Sequence, residues 1–167
     1  AAIPTTASLR QRFTVTNPYF KIPARFVVRK DKSLSEPRGQ ALAGWSVAVV
    51  RETAHEAFLK LLAPGAELRS FADLGAAEAA LRAGEVDYLF GDGLSLALWL
   101  GGPAGSTCCA FIGGPFLENR FFGEGIGFIV RRDDVILRRA LDHALQRLWD
   151  EGKYAELYLR FFPISPF

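Results

Sequence analysis

The stretch Ala83-Gly-Glu-Val-Asp-Tyr-Leu-Phe-Gly-Asp92 decides how this chain folds. Gly84 closes a helix whose apolar stripe is Leu74, Ala77 and Leu81, because glycine takes the left-handed position past a helix end without steric cost. Val86 to Phe90 then reads as a short apolar strand, with Asp92 at its carboxyl end. In an open α/β sheet that is the end at which ligands bind. Upstream, Trp45-Ser-Val-Ala-Val-Val50 is a strand whose weak alternation suits burial on both faces. Thr53-Ala-His-Glu56 is a capping box opening a helix to about Leu62, which Pro64-Gly65 stops. Glu67 to Phe71 is a short strand, a helix starts near Asp73, and another covers Leu94 to Leu100. Residues 45–100 thus alternate strand and helix, which predicts an α/β fold with a parallel-rich sheet flanked by helices. Further out, Arg25 to Arg29 and Gly125 to Val130 read as strands. Asp133 or Asp134 caps a helix from Val135 to Glu151, Gly152 ends it, and a shorter helix carries Tyr154 to Phe162.

Half of the 167 residues are hydrophobic and 23% are charged, which is a globular and not a disordered composition. The formal charge of +2 is spread without a Lys/Arg block, so nucleic acid is not an expected partner. The longest strongly apolar run, Leu94 to Leu100, is too short to cross a bilayer. Cys108 and Cys109 stand side by side with no metal-binding spacing, and the expectation is two reduced or separately buried thiols. His55 and His143 are isolated from each other in sequence and predict no metal site.

Six segments, in order, resemble the bacterial family 3 solute-binding proteins, the periplasmic receptors of amino-acid importers. Thr16-Asn-Pro-Tyr19 is similar to that family's F-T-x-P-Y, and Leu42-Ala-Gly-Trp-Ser-Val-Ala-Val49 to its L-x-G-k-x-V-G-V. Thr53 and Glu56 match G-T-x-x-E, while Gly84, Val86 and Asp87 match G-x-V-D. Gly125 to Arg131 resembles the family's returning strand, and Leu137 to Phe162 its closing helices. The resemblance implies a periplasmic-binding-protein-like fold in which residues 1–30 are the tail of a first lobe and a hinge strand. Residues 31–124 would be the second lobe, and 125–167 the returning hinge strand and the C-terminal helices of a truncated first lobe. It leaves two expectations for the apolar face of those helices: the chain is part of a longer one, or it self-associates through them.

Each candidate site residue has a structural alternative. Asp92 at the end of a parallel strand is placed to hold a ligand ammonium group, the role the family's aspartate plays, and would also cap the next helix. Thr53 opens a helix, where free N–H groups and the positive dipole end favour a carboxylate. Glu52 occupies the family's glycine position, and its charge competes with a ligand carboxylate. In the family's T-x-x-R clamp, Thr6 falls on the threonine and Leu9 on the arginine. Arg10 reaches that place after a one-residue shift, or else is a solvated surface arginine. Phe116, Phe121 and Phe122 flank Glu118-Asn-Arg120 in what reads as a mobile loop near the cleft.

The resemblance implies a periplasmic, non-enzymatic substrate-binding component of an ABC importer. It would capture an amino acid or amine by hinge closure, pass it to a membrane permease and need no cofactor or metal. The alternatives are a sensory ligand-binding module of a signalling receptor and a dehydratase-like enzyme on the same fold, for which Glu52 would serve as acid or base.

Overall fold

The structure, a computed structural model, describes residues 3–4 and 11–161. The chain forms two compact units, a larger one spanning Pro23–Leu117 and a smaller one drawn from residues on either side of it. The candidates Thr6 and Arg10 lie outside the described residues.

The larger unit is built on a five-stranded sheet. Its strands are β3 (Ala24–Arg29), β4 (Ser46–Val50), β5 (Glu67–Phe71), β6 (Tyr88–Asp92) and β7 (Cys109–Phe116), in the spatial order β5-β4-β6-β3-β7. β4 runs parallel to both β5 and β6, and β3 runs antiparallel to β6 and β7. The helices are α1 (Ala54–Leu62), α2 (Leu74–Ala83), α3 (Gly93–Gly101) and α4 (Pro103–Cys108). Side chains alternate across a strand, so each face has its own core. On one face Phe58 of α1 stacks on Phe90 at 5.8 Å, Phe26 lies 4.4 Å from Phe90, and Phe116 closes the cluster 5.5 Å from Phe26. On the other, Val27, Ala48 and Leu89 pack with Ala77 and Leu81 of α2 and Leu96 and Leu100 of α3. The expected strand–helix alternation is present, and Gly84 ends α2 at φ +77°.

Two expectations are corrected. Residues 109–116 form an eight-residue strand, and Phe116 belongs to the aromatic core instead of a mobile loop. Gly113, Gly114 and Pro115 hid this strand, because those residues are depleted from strand interiors. β7 has room for them because it is an edge strand. The short helix α4 follows α3 directly, and Pro103 starts it at a position where its missing N–H is not needed. Cys108 and Cys109 are joined as a disulfide at the junction of α4 and β7, and are not separate thiols.

The smaller unit contains two short antiparallel pairs. β1 (Ile3–Pro4) pairs with β8 (Ile126–Gly127), and β2 (Thr14–Val15) with β9 (Ile129–Val130). The single strand expected over 125–130 is therefore broken at Phe128, whose ring stacks on Tyr19 at 4.7 Å. One helical turn, α5 (Asn119–Phe122), and two longer helices, α6 (Val135–Asp150) and α7 (Lys153–Phe161), complete it. Asp134 caps α6, accepting from the Leu137 N–H, and Asp142 accepts from the Asn17 N–H at 2.7 Å. No residue of α6 or α7 is fully buried.

Candidate functional site

The carboxyl edge of the β4–β6 pair is assembled by two helix caps. β4 ends at Val50, and the chain turns through Glu52 in a left-handed conformation, φ +59°. Thr53 then caps α1: its Oγ1 donates to the Val50 carbonyl at 2.7 Å and accepts from the Glu56 N–H at 3.3 Å. Glu56 reaches back, its Oε2 accepting from the Glu52 N–H at 3.0 Å. Hydrogen bonds from the Ser70 hydroxyl and the Glu52 amide hold the Glu56 carboxyl below its usual range.

β6 delivers the second cap. Asp92 is its last residue, and Oδ1 accepts from the Ser95 N–H at 2.7 Å, opening α3. The next residue must be glycine: a Cβ on Gly93 would lie 2.6 Å from the Pro23 carbonyl oxygen, to which the Gly93 N–H donates at 2.8 Å. The parallel register pairs Val47 with Tyr88 and Ala48 with Leu89. Carried forward along both strands, it sets Asp92 level with the turn that leads into Thr53. Asp92, Thr53 and Glu52 therefore share one edge of the sheet.

His55, which the sequence did not single out for a role, belongs to the same edge. It lies on the first turn of α1, with its ring edge-on to Phe90 at 5.8 Å. Phe90 and Asp92 are two residues apart on β6 and point to the same face. Burial pulls the imidazole below its ordinary pKa, and the Asp92 charge offsets part of that fall. The signal in the sequence was positional: His55 is two residues past a cap, on a helix that starts beside the strand ending in Asp92.

The aspartate of the G-x-V-D pattern does different work at the opposite edge. Asp87 accepts from the Ser46 hydroxyl at 2.6 Å, the Ser46 N–H at 3.1 Å and Lys32 Nζ at 2.9 Å, and its own N–H donates to Ser46 Oγ at 3.0 Å. It pins the start of β4 to the start of β6. A surface groove of about 310 Å³ is lined by Pro37, Arg38, Leu62 and Gly113 to Phe116. It takes in neither Asp92 nor Thr53, and its one charged side chain, Arg38, is paired with Glu36 at 2.9 Å. Among the described residues no cluster of His, Cys, Asp and Glu has the makings of a metal site. No helix among them is long and apolar enough to cross a membrane.

Comparison with known proteins agrees with this architecture. The L-arginine-binding protein of Pseudomonas aeruginosa is 29% identical over 149 residues, covering 88% of this chain and 57% of that protein. The histidine-binding periplasmic protein of Escherichia coli K12 is 29% identical over 161 residues, covering 94% and 61%. This chain thus spans about three fifths of the length of these curated relatives. Among solved structures, the second substrate-binding domain of Lactococcus lactis GlnP in its open conformation superposes with a TM-score of 0.77 at 17% identity, covering 98% of this chain and 68% of that one. An ancestral cationic amino acid solute-binding protein gives 0.68 at 20%, covering 96% and 66%. At such identities the likeness is one of fold. The family model for bacterial extracellular solute-binding proteins, family 3, matches residues 1–164, and with the mixed sheet and its two capped helices this places the chain in that family.

Proposed function

We propose that this chain is the ligand-capturing part of a periplasmic receptor for an ABC importer, and that its ligand is a cationic amino acid or an amine. The observation that carries the reading is Asp92, a carboxylate at the carboxyl end of β6, level with the capped start of α1. A carboxylate in that position pairs with an ammonium or guanidinium group, and the attraction strengthens as water leaves the site. Relatives named for arginine, for histidine and for lysine, arginine and ornithine all take ligands with a basic side chain, which agrees with an acidic anchor. Thr53 and the N–H groups at the start of α1 face the ligand's carboxylate, with Thr6 and Arg10 as further candidates for that end. Glu52 weakens the carboxylate end by its own charge and tilts selectivity toward cations.

The larger unit acts as the second lobe and the smaller as the remainder of the first. Among the described residues the chain passes between them twice, at Ile22/Pro23 and Leu117/Glu118, as a two-segment hinge requires, and ligand favours the closed state. The proposed partners are the ligand and a membrane permease, with self-association through α6 and α7. Family membership favours binding over the dehydratase-like alternative.

Calorimetry with L-arginine, L-ornithine, putrescine and L-leucine tests the ligand class. The cations are expected to bind and L-leucine is not, and Asp92→Asn is expected to weaken cation binding at least about tenfold. Tight L-leucine binding that Glu52→Gly leaves unchanged would overturn the reading.

A further inference from the structure

We propose that His55 is a proton-controlled gate on Asp92: once charged, its imidazolium occupies the field of the carboxylate and repels a cationic ligand group. This rests on the reading of Asp92 as a cation anchor.

The geometry carries it. His55 and Phe58 lie one turn apart on α1 and both pack on Phe90, at 5.8 Å each. α1 therefore lies along the face of β6 that carries Phe90 and Asp92, with His55 toward the Asp92 end, where α1 begins. Among the described residues, the elements around the imidazole carry these charged groups. β4 offers Val47 and Val49 on this face, and Arg51 and Glu52 follow it at the level of Asp92. Glu67 and Arg69 of β5 pair with each other at 2.8 Å. Glu56 and Lys60 of α1 itself pair at 3.3 Å. α3 has no charged residue, and Arg25 of β3 is on the opposite face, over the Phe111 ring at 4.4 Å. The Asp92 charge acts on His55, and it acts against burial.

The direction follows from that balance. Burial keeps His55 neutral at neutral pH, so Asp92 keeps its full attraction for a ligand cation. As pH falls below the ordinary histidine value, His55 takes up a proton, stabilised by Asp92. The ligand's positive group and the imidazolium then compete for one carboxylate. Binding of the cation expels the proton, and acidification releases the cation.

Calorimetric titration of L-arginine into the full chain from about pH 7.5 to about pH 5 is the test, since arginine's guanidinium stays charged throughout. Affinity of the wild type is expected to fall by up to about tenfold per pH unit once His55 titrates, and that of His55→Gln to stay level. An equal fall in both proteins, or none in the wild type, overturns the gate while leaving Asp92 as the anchor. Failure of L-arginine to bind the wild type at about pH 7.5 overturns the anchor and the gate together. An NMR titration of the imidazoles reads the coupling without the variant, with His143 on α6 as internal reference. The His55 pKa is expected to drop in Asp92→Asn and with saturating L-arginine. If His55 titrates identically in wild type and Asp92→Asn, the gate is overturned.

Discussion

Glu52 donates its amide N–H to Oε2 of Glu56, 3.0 Å away, from a left-handed backbone at φ +59°. Non-glycine residues meet a steric cost of about 1–2 kcal/mol there. Glu52→Gly keeps the amide donor and removes that cost, so a gain of roughly 0.5–1 kcal/mol is expected once the added freedom of the unfolded chain is subtracted. Urea denaturation measures it. A loss of stability would mean that the Glu52 side chain holds the turn.

Capping by Asp92 is separable from the ligand capture proposed for it. Asparagine caps helices about as well as aspartate, whereas alanine costs about 1 kcal/mol. Asp92→Asn is expected to melt within about 0.5 kcal/mol of wild type, and Asp92→Ala about 1 kcal/mol lower. Both should lose cation binding. Equal binding in Asp92→Asn and wild type would leave Asp92 with the cap alone.

Acid stability should report on Asp87. Burial pushes this carboxyl up, but the hydrogen bonds from Ser46 and Lys32 outweigh it and hold the group below the usual carboxylate range. A folded pKa below the unfolded one stabilises at pH above the unfolded value, near about 3.9, and that contribution drains away as pH falls through the depressed value. Asp87→Asn is expected to cost about 1–3 kcal/mol at neutral pH and to show a flatter acid limb. Parallel acid limbs in the two proteins would contradict this.

α6 and α7 leave large apolar side chains in water: Ile136 is 84% exposed, Trp149 59% and Phe161 72%. Covering such side chains is worth roughly 1.5–3 kcal/mol each, so concentration-dependent association is expected in light scattering. The pair Ile136→Lys and Trp149→Lys should abolish it. A monomer at high concentration would show that these side chains drive no assembly.

Much of this molecule was legible in its sequence because local chemistry and tertiary structure agree. Thr53, Asp73, Asp92 and Asp134 all cap helices as their residue types suggest, and Gly84 ends one in the left-handed region. Legibility failed where tertiary context overrode local preference. The Gly-Gly-Pro run in β7 is tolerated because β3 supplies a partner on one side only. The pairing of β3 with both β6 and β7 is long-range and leaves no periodic trace. The sequence marks His55 only by position, two residues past a cap on the helix that starts beside β6; the packing of its ring on Phe90 depends on α1 lying over β6, which spacing along the chain does not encode.

Asp87 and Asp92 stand at opposite ends of β6, about 16 Å apart at the rise of an extended strand. The first ties β4 to β6, while the second stands at the edge proposed to take the ligand. Changes at Asp92, Thr53 or His55 leave the bonds of Asp87 intact, so their cost to the fold is confined to the helix caps they touch. Under the proposed reading, a lineage built on this sheet could exchange one solute for another by steps that leave the tie between β4 and β6 in place.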